Sequence, residues 1–596
     1  MPDSPMIDSS GAVKLSISAN GSRIDESIEI ASVSVSSFVN KIPFARIELL
    51  DGDMPNKDFP ISSSDDFKPG NEIKIDAGYG DSEDTIFEGV IVRHGIKISG
   101  DNHSRLIIEC RDKAFAMTLG RHNANFVDSK DSDIIKKLIS DYSGLDSEVG
   151  ATKTEYKELV QYYCSDWDFM LSRAEVNGFL VCVDNAKILV KAPQTSATAE
   201  LKLTYGDDLI ELDADIDART QFAEVNTASW DPGSQAVIED QAGPQQLNKQ
   251  GNLESKTLAG VGKLDAFRLQ TTGLLDKGAL KDWADAQQVK SGLARIRGRM
   301  KFQGSARARA GGLIELDGVG DRFNGEVFVS AVNHRISSGN WISEAEFGLS
   351  PDWFAERRDL VAPPASGWLP GVEGLQIGVV VKLDEDPEEQ NRIQVKVPIL
   401  QADTEGVWAR LTNFYASNEF GAFFIPEIGD EVILGYLNND PSNPVILGSL
   451  YSSKMPPACE LDPENNIKAL VTRSGLKLEF DEDRKVITIM TPEENKLVFS
   501  EEDKSILIED QNGNRVELGE DGIALDSPKD ISISAQGKIT LSASGEIGVE
   551  SQADVAVKGL NVNHEAQAGF VAKGNASAEL SASGQTTVKG AMVMIN

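Results

Sequence analysis

Few residues in this chain are placed to do chemistry. Its 596 residues hold five histidines and four cysteines. Cys110, Cys164, Cys182 and Cys459 are scattered without metal-ligand spacing, which predicts reduced thiols rather than a zinc site or a disulfide framework. His94, His103, His122 and His334 lie in β-rich segments with no His or Cys at ligand spacing, so they read as hydrogen-bonded polar residues. His564 differs, because it takes a position in an eight-residue repeat that aliphatic side chains otherwise hold. A threefold axis would bring three such imidazoles together as a metal or anion site, with a lone histidine paired to Ser, Asn or water as the alternative. The acidic runs DEDPEEQ, DEDRK and SEEDK read as solvated turns, not as the acid and nucleophile of a glycosidase. There is no Gly-x-Ser-x-Gly elbow and no phosphate-binding Gly-rich loop ending in Lys-Ser/Thr. The expectation is a protein that is no enzyme and has no cofactor, His564 being the one candidate metal ligand.

The repeat itself is the main signal. Leu525, Ile533, Leu541, Val549 and Val557 open successive octads, and Ile531, Ile539, Ile547 and Val555 stand six positions on. Six is even, so both sets share one face of an extended strand. Position five holds Lys529, Gly537, Gly545 and Ala553, a mostly small set suited to tight corners. One step after Val557 is seven residues long, and the frame resumes at His564, Ala572, Leu580 and Val588. A single thin apolar ridge per turn closes no core by itself. Three chains wound about one axis would supply the missing walls and leave no open strand edge; a single-chain β-solenoid or a sticky tail is the other reading.

A length of 596 residues allows three or four domains. A net charge of -36 argues against a general nucleic-acid or anionic-membrane binder. The start, MPDSPMIDSSGAV, lacks a signal peptide's basic and apolar runs, and no window is long and apolar enough to span a membrane. Residues 1–230 read as period-two strands with two helical inserts: SDIIKKLISDYSG with a Ser N-cap signal, and KELVQYYCSDWDFMLSRAEVNGFLVCV as a helix running into a strand. Residues 232–262 read as a long loop, and the helix GALKDWADAQQVKSGLARIRG precedes the strands of a second barrel-like body ending near 365. Five short strands over 372–451 suit a small OB-type barrel. Its first loop, DEDPEEQ, lacks the basic and aromatic side chains of an oligonucleotide-binding face.

Several segments resemble one family. QYYCSDWDFMLSRAEVNGF, RGRMKFQGSARARAGGLIELDGVGDRFNGEVFVSAVNHRISSGNW and FIPEIGDEVILGYLNNDPSNPVILGSLY are similar to phage late-control hub proteins and to the valine-glycine-repeat (VgrG) spike of type VI secretion, and LVTRSGLKLEFDED resembles the entry into that spike's needle. The resemblance implies a mainly β homotrimer. Two barrel-like hub regions with helical inserts (1–230 and 231–365) would convert a sixfold tail tube to threefold symmetry, above an OB-fold collar (372–451) and an intertwined trimeric β-helix needle (471–596). The needle core would be Leu525, Ile531, Ile533, Ile539, Leu541, Ile547, Val549, Val555 and Val557. The segment Met592, Val593, Met594, Ile595 and Asn596 would seat a conical tip protein of the PAAR-repeat kind.

Implied partners are the chain itself, inner tube and baseplate proteins, the tip protein, effector cargo and, transiently, a target cell envelope, with no nucleic acid. Myophage needles often carry a lysozyme between collar and needle; the stretch from Tyr451 to Val471 is too short for one. Expected localisation is synthesis in the cytoplasm without a signal peptide, then assembly into a phage tail-like particle acting outside the cell. A phage tail, a type VI apparatus and a free extracellular injection particle all stay open, with the shortness of the chain favouring the last. A trimeric fibre or adhesin and an envelope-degrading tail lysin are the rival classes.

Overall fold

A computed structural model describes residues 2–6, 11–100, 103–245, 247–401 and 405–595. The protein is mainly β and divides into two compact units, Met1–Leu450 and Tyr451–Asn596.

Period-two patterning builds the first unit. In the strand Phe44–Leu50, Ala45, Ile47 and Leu49 are fully buried while the residues between them are only partly so. That strand belongs to a sheet of thirteen in which the two hub regions interleave. Ile30–Phe38 pairs with Gly325–Ser337, register Val35 to His334 and Val33 to Ile336, so the middle of the sheet joins residues three hundred positions apart. One core cluster, around Ile47, Ile75 and Trp341, fills one half; a second, around Met300, Phe302 and Phe347, fills the other. The sequence boundary at 230/231 falls inside the hairpin Val225–Asp231 with Ala236–Ala242.

Three local readings are corrected. Lys157–Cys164 is no helix: Glu155–Cys164 is a strand paired with His122–Lys130, which sets Leu159 opposite Phe126 and lets Phe126 stack on Phe169. Ser132 is no cap, because helix α1, Asp131–Ser140, has already begun; Asp131 is fully buried and receives Arg173 Nε at 2.7 Å and Nη2 at 3.0 Å and Asn177 Nδ2 at 2.8 Å. Ser165 does cap helix α2, Asp166–Val176, accepting the Asp168 N–H at 3.1 Å. The region 232–262 is not all loop either, since it holds the strand Ala236–Ala242 and helix α3, Ser255–Gly262. Helix α4, Lys277–Ala294, is capped by Asp276 and buries Ala279, Leu280 and Ala284.

The collar is a closed five-stranded barrel, ordered Gln376–Lys382, Ile393–Lys396, Val407–Leu411, Pro444–Ser449 and Glu431–Tyr436. Val380, Val395, Ala409, Val432, Leu434 and Ile446 fill it. Among the described residues no helix is long and apolar enough to cross a membrane.

The second unit begins as an antiparallel meander. Seven strands run from Ile467–Val471 to Gly522–Asp526, each paired with the next through turns of two to five residues. From 527 to 595 the backbone forms no strand and, among the described residues, no backbone–backbone hydrogen bond. It bends instead at Pro528–Lys529, Gln536–Gly537, Ser544–Gly545 and Gln552–Ala553. Each bend lies at positions four and five of an octad. The next bend is at Leu560 alone, one residue wide, and the series continues at Gln567–Ala568, Asn575–Ala576, Ser583–Gly584 and Ala591–Met592, so the seven-residue step is present in the backbone as well as in the sequence. The corner glycines Gly537, Gly545 and Gly584 have no left-handed φ, and a Cβ on any of them would meet open space. The corner therefore does not demand glycine, in keeping with lysine and alanine at the same position.

Candidate functional site

The meander has two unlike faces. Cross-strand pairs place Leu470, Leu478, Ile489, Leu497, Ile508, Val516 and Leu525 in one row. Lys468, Phe480, Ile487, Phe499, Ile506, Leu518 and Ile523 form a second row on the same face. Only Lys468 breaks this two-wide apolar ladder. The opposite face carries the ion pairs Lys477–Glu479, Lys496–Glu509 and Arg515–Glu517. None of the ladder residues is buried: Ile489 is 48% and Ile508 51% exposed. Sequence reading missed all of it before Leu525, although alternating apolar residues at intervals of nine and ten were there to find.

The octads continue the ladder. Each layer again offers two apolar residues two positions apart: Ile531 with Ile533, Ile539 with Leu541, Ile547 with Val549, Val555 with Val557. Exposure repeats with the layers, 52–58% for Ile531, Ile539, Ile547 and Val555 and 70–75% for Ile533, Leu541, Val549 and Val557. One open groove is lined by Ile489, Leu497, Ile508, Val516, Leu525 and Ile531, which makes meander and octads one apolar surface. The face is contiguous and exposed, and the backbone beyond Asp526 forms no strand.

The other sequence-predicted residues fall as follows. His564 is exposed and stacks on Phe570 with ring centroids 6.0 Å apart. Among the described residues no cluster of three His, Cys, Asp or Glu within one chain could hold a metal ion. Met592, Val593, Met594 and Ile595 are all exposed, and Asn596 lies outside the described residues. His94 contacts Ser62 Oγ and the Phe67 carbonyl, both at 2.8 Å. His334 is buried, with Nδ1 2.8 Å from Ser343 Oγ, and burial pushes its pKa down to about 4. The four cysteines are free thiols; burial pushes Cys110 up to about 12 and Cys182 up to about 11, which leaves both inert as nucleophiles.

The acidic loop of the collar is ordered rather than merely solvated. The Arg392 guanidinium holds Asp386 at 2.6 and 3.1 Å, and the backbone N–H groups of Glu388, Gln390 and Arg392 add to it. Arg392 first, and these amides after it, hold the Asp386 carboxyl far below the usual carboxylate range. That makes it a fixed clamp on the loop rather than a proton donor.

A family described as the Alg8 N-terminal domain matches residues 9–338, more than half of the 596. The chain belongs to that family. Beyond the Alg8 N-terminal region, residues 376–451 match the type VI secretion system/phage-baseplate injector OB domain, the segment that closes into the five-stranded barrel. Among curated proteins the chain is similar to the type VI secretion system spike protein VgrG1b of Pseudomonas aeruginosa, 28% identical over 214 residues, which is 33% of this chain and 28% of the relative. It is also similar to the actin cross-linking toxin VgrG1 of Vibrio cholerae, 30% identical over 109 residues, 17% of this chain and 10% of that toxin. The matched stretches thus span less than a third of these relatives' lengths. Among solved structures, a tail protein from Neisseria meningitidis gives a TM-score of 0.42 at 13% identity, covering 58% of this chain and 99% of that one. The E. coli c3393 protein, a component of the type VI secretion system, gives 0.38 at 11%, covering 73% and 99%.

Proposed function

We propose that this chain is the hub and spike of a contractile injection system and acts as a homotrimer without catalysis. The observation that carries the reading is the two-wide apolar ladder, which runs from the meander into the octads and stays half exposed in one chain. Three copies packed ladder to ladder would form a prism whose interior is this surface. Burying the remaining area contributes roughly 1 kcal/mol for each aliphatic side chain, over about twenty of them per chain. Backbone groups of 527–595 that lack partners would pair with neighbouring copies, and load along the axis would then spread over many hydrogen bonds.

On this reading the hub sheet joins a tail tube and baseplate, the OB barrel is the collar, and the needle is driven through a target envelope. Exposed Met592, Val593, Met594 and Ile595 would dock a separate tip protein, and effector cargo would travel with the spike. His564 would present three imidazoles to one metal or anion on the axis. The similarity to VgrG spikes and to the injector OB domain supports the role; the machine we favour is an extracellular phage tail-like particle. Light scattering on the full-length chain at micromolar concentration, and again after dilution, tests it: a stable mass of three chains is expected, and a monomer that keeps its fold overturns the needle.

A further inference from the structure

Residues 247–255, leading into α3, border a cavity of about 210 Å3 together with Arg295; Gln250, Glu254 and Ser255 line it. Arg295, directly after α4, is 8% exposed, and among the described residues its guanidinium donates to backbone carbonyls only, those of Leu253 and Gln250, the latter at 2.8 Å. Burial lowers its pKa, and Glu254 acts on it through space without reaching ion-pair distance among the described residues. Gln250 is 4% exposed; its Oε1 accepts from Asn248 Nδ2, and its Nε2 has no hydrogen-bond partner among the described residues. Helix α3 starts at Ser255, and Glu254 makes no side-chain cap bond, so the first N–H groups of the helix are uncapped by a side chain.

A buried guanidinium, an orphan amide donor and a helix N-terminus together form an environment that is costly when empty and favourable for a negative charge. We propose that this cavity is an oxyanion site, taking a phosphate or sulfate ion or the carboxylate of a partner protein. Gln250 Nε2 and Arg295 are the direct donors, and Glu254 is the competing charge that keeps affinity modest. The site is independent of whether the needle is trimeric, since every group in it belongs to the hub.

The test uses the full-length chain in two arms, inorganic phosphate and acetate, each titrated by calorimetry at ionic strength matched with sodium chloride. Saturable binding of phosphate is expected for a free ion, whereas binding of acetate in preference would indicate a partner carboxylate. Gln250→Met should weaken the response about three- to tenfold, the worth of one hydrogen bond. Glu254→Gln should strengthen it. In chloride Glu254→Gln should keep the melting temperature of the parent and Gln250→Met should not lower it, since it removes a buried unpartnered donor, so the site stays testable even where Arg295→Lys fails to fold. Heats no larger than those of chloride in both arms, or equal heats in the parent and Gln250→Met, overturn the proposal.

Discussion

Leu525 lies opposite Val516 across the last hairpin of the meander and is also the first residue of the octad frame. One side chain thus ends an antiparallel sheet and begins a succession of bends, and the apolar face passes from one to the other without losing its two-residue width. What changes at Asp526 is the source of the hydrogen bonds. Before it each strand pairs with its own neighbour in the chain; after it, among the described residues, no backbone group pairs with another backbone group of the chain.

The first prediction concerns that face. Ile547→Asp places a carboxylate where three copies would meet, at a cost of several kcal/mol for each buried charge, and the three-chain mass should disappear in light scattering. Thr540→Asp, at the position between Ile539 and Leu541 and so on the other face of the extended backbone, should leave it intact. Equal behaviour of the two variants would remove the ladder as the interface.

How much of this was legible beforehand depends on where the information lay. The octads were readable because a repeat of fixed spacing is covalent: Ile539 and Leu541 announce their common face from sequence distance alone. The meander face was harder, since turns of two, four and five residues break any fixed period. The interleaving of the hub was out of reach, because nothing near Val35 says that its partner is His334. The strand Glu155–Cys164 was missed for a related reason. Its outward Tyr162 and Val160 and its inward Leu159 fit either period, and only the pairing with His122–Lys130 decides between them.

A second prediction concerns pH. His334 has a folded pKa of about 4 because it is buried beside Trp341, against an ordinary value near 6.5. The unfolded chain therefore takes up this proton first, so the stability is fully present above pH 6.5 and is lost as pH falls toward 4. The loss should reach about 2 kcal/mol by pH 5. Unfolding free energies from urea titrations at pH 7.5 and pH 5 should differ by that much more in the parent than in His334→Gln, which keeps a polar side chain but does not titrate.

A third concerns α1. Asp131 is fully buried and takes three hydrogen bonds from Arg173 and Asn177. Asp131→Asn keeps the shape but strands the Arg173 cation, and breaking a buried pair costs about 3–5 kcal/mol. Thermal unfolding of the hub should drop by several degrees, and Asp133→Asn, exposed on the same helix, should change it little. A small effect at Asp131 would mean that water reaches the guanidinium in solution.

The last concerns His564. Within one chain it stacks on Phe570, and its place in the frame alternates with Val562, so the layer it occupies pairs one aliphatic with one imidazole. If three copies converge, three imidazoles sit within a layer bounded by Val555 and Val557 on one side and Phe570 on the other. Such a dry neighbourhood favours a metal held by neutral imidazoles, because charged ones would repel one another and cost desolvation. Elemental analysis of the purified trimer should then find about one transition-metal ion for every three chains, lost on acidification and absent in His564→Asn. A metal-free trimer of unchanged stability would instead leave the three rings hydrogen-bonded to Asn561, Asn563 or water, and the layer would serve packing alone.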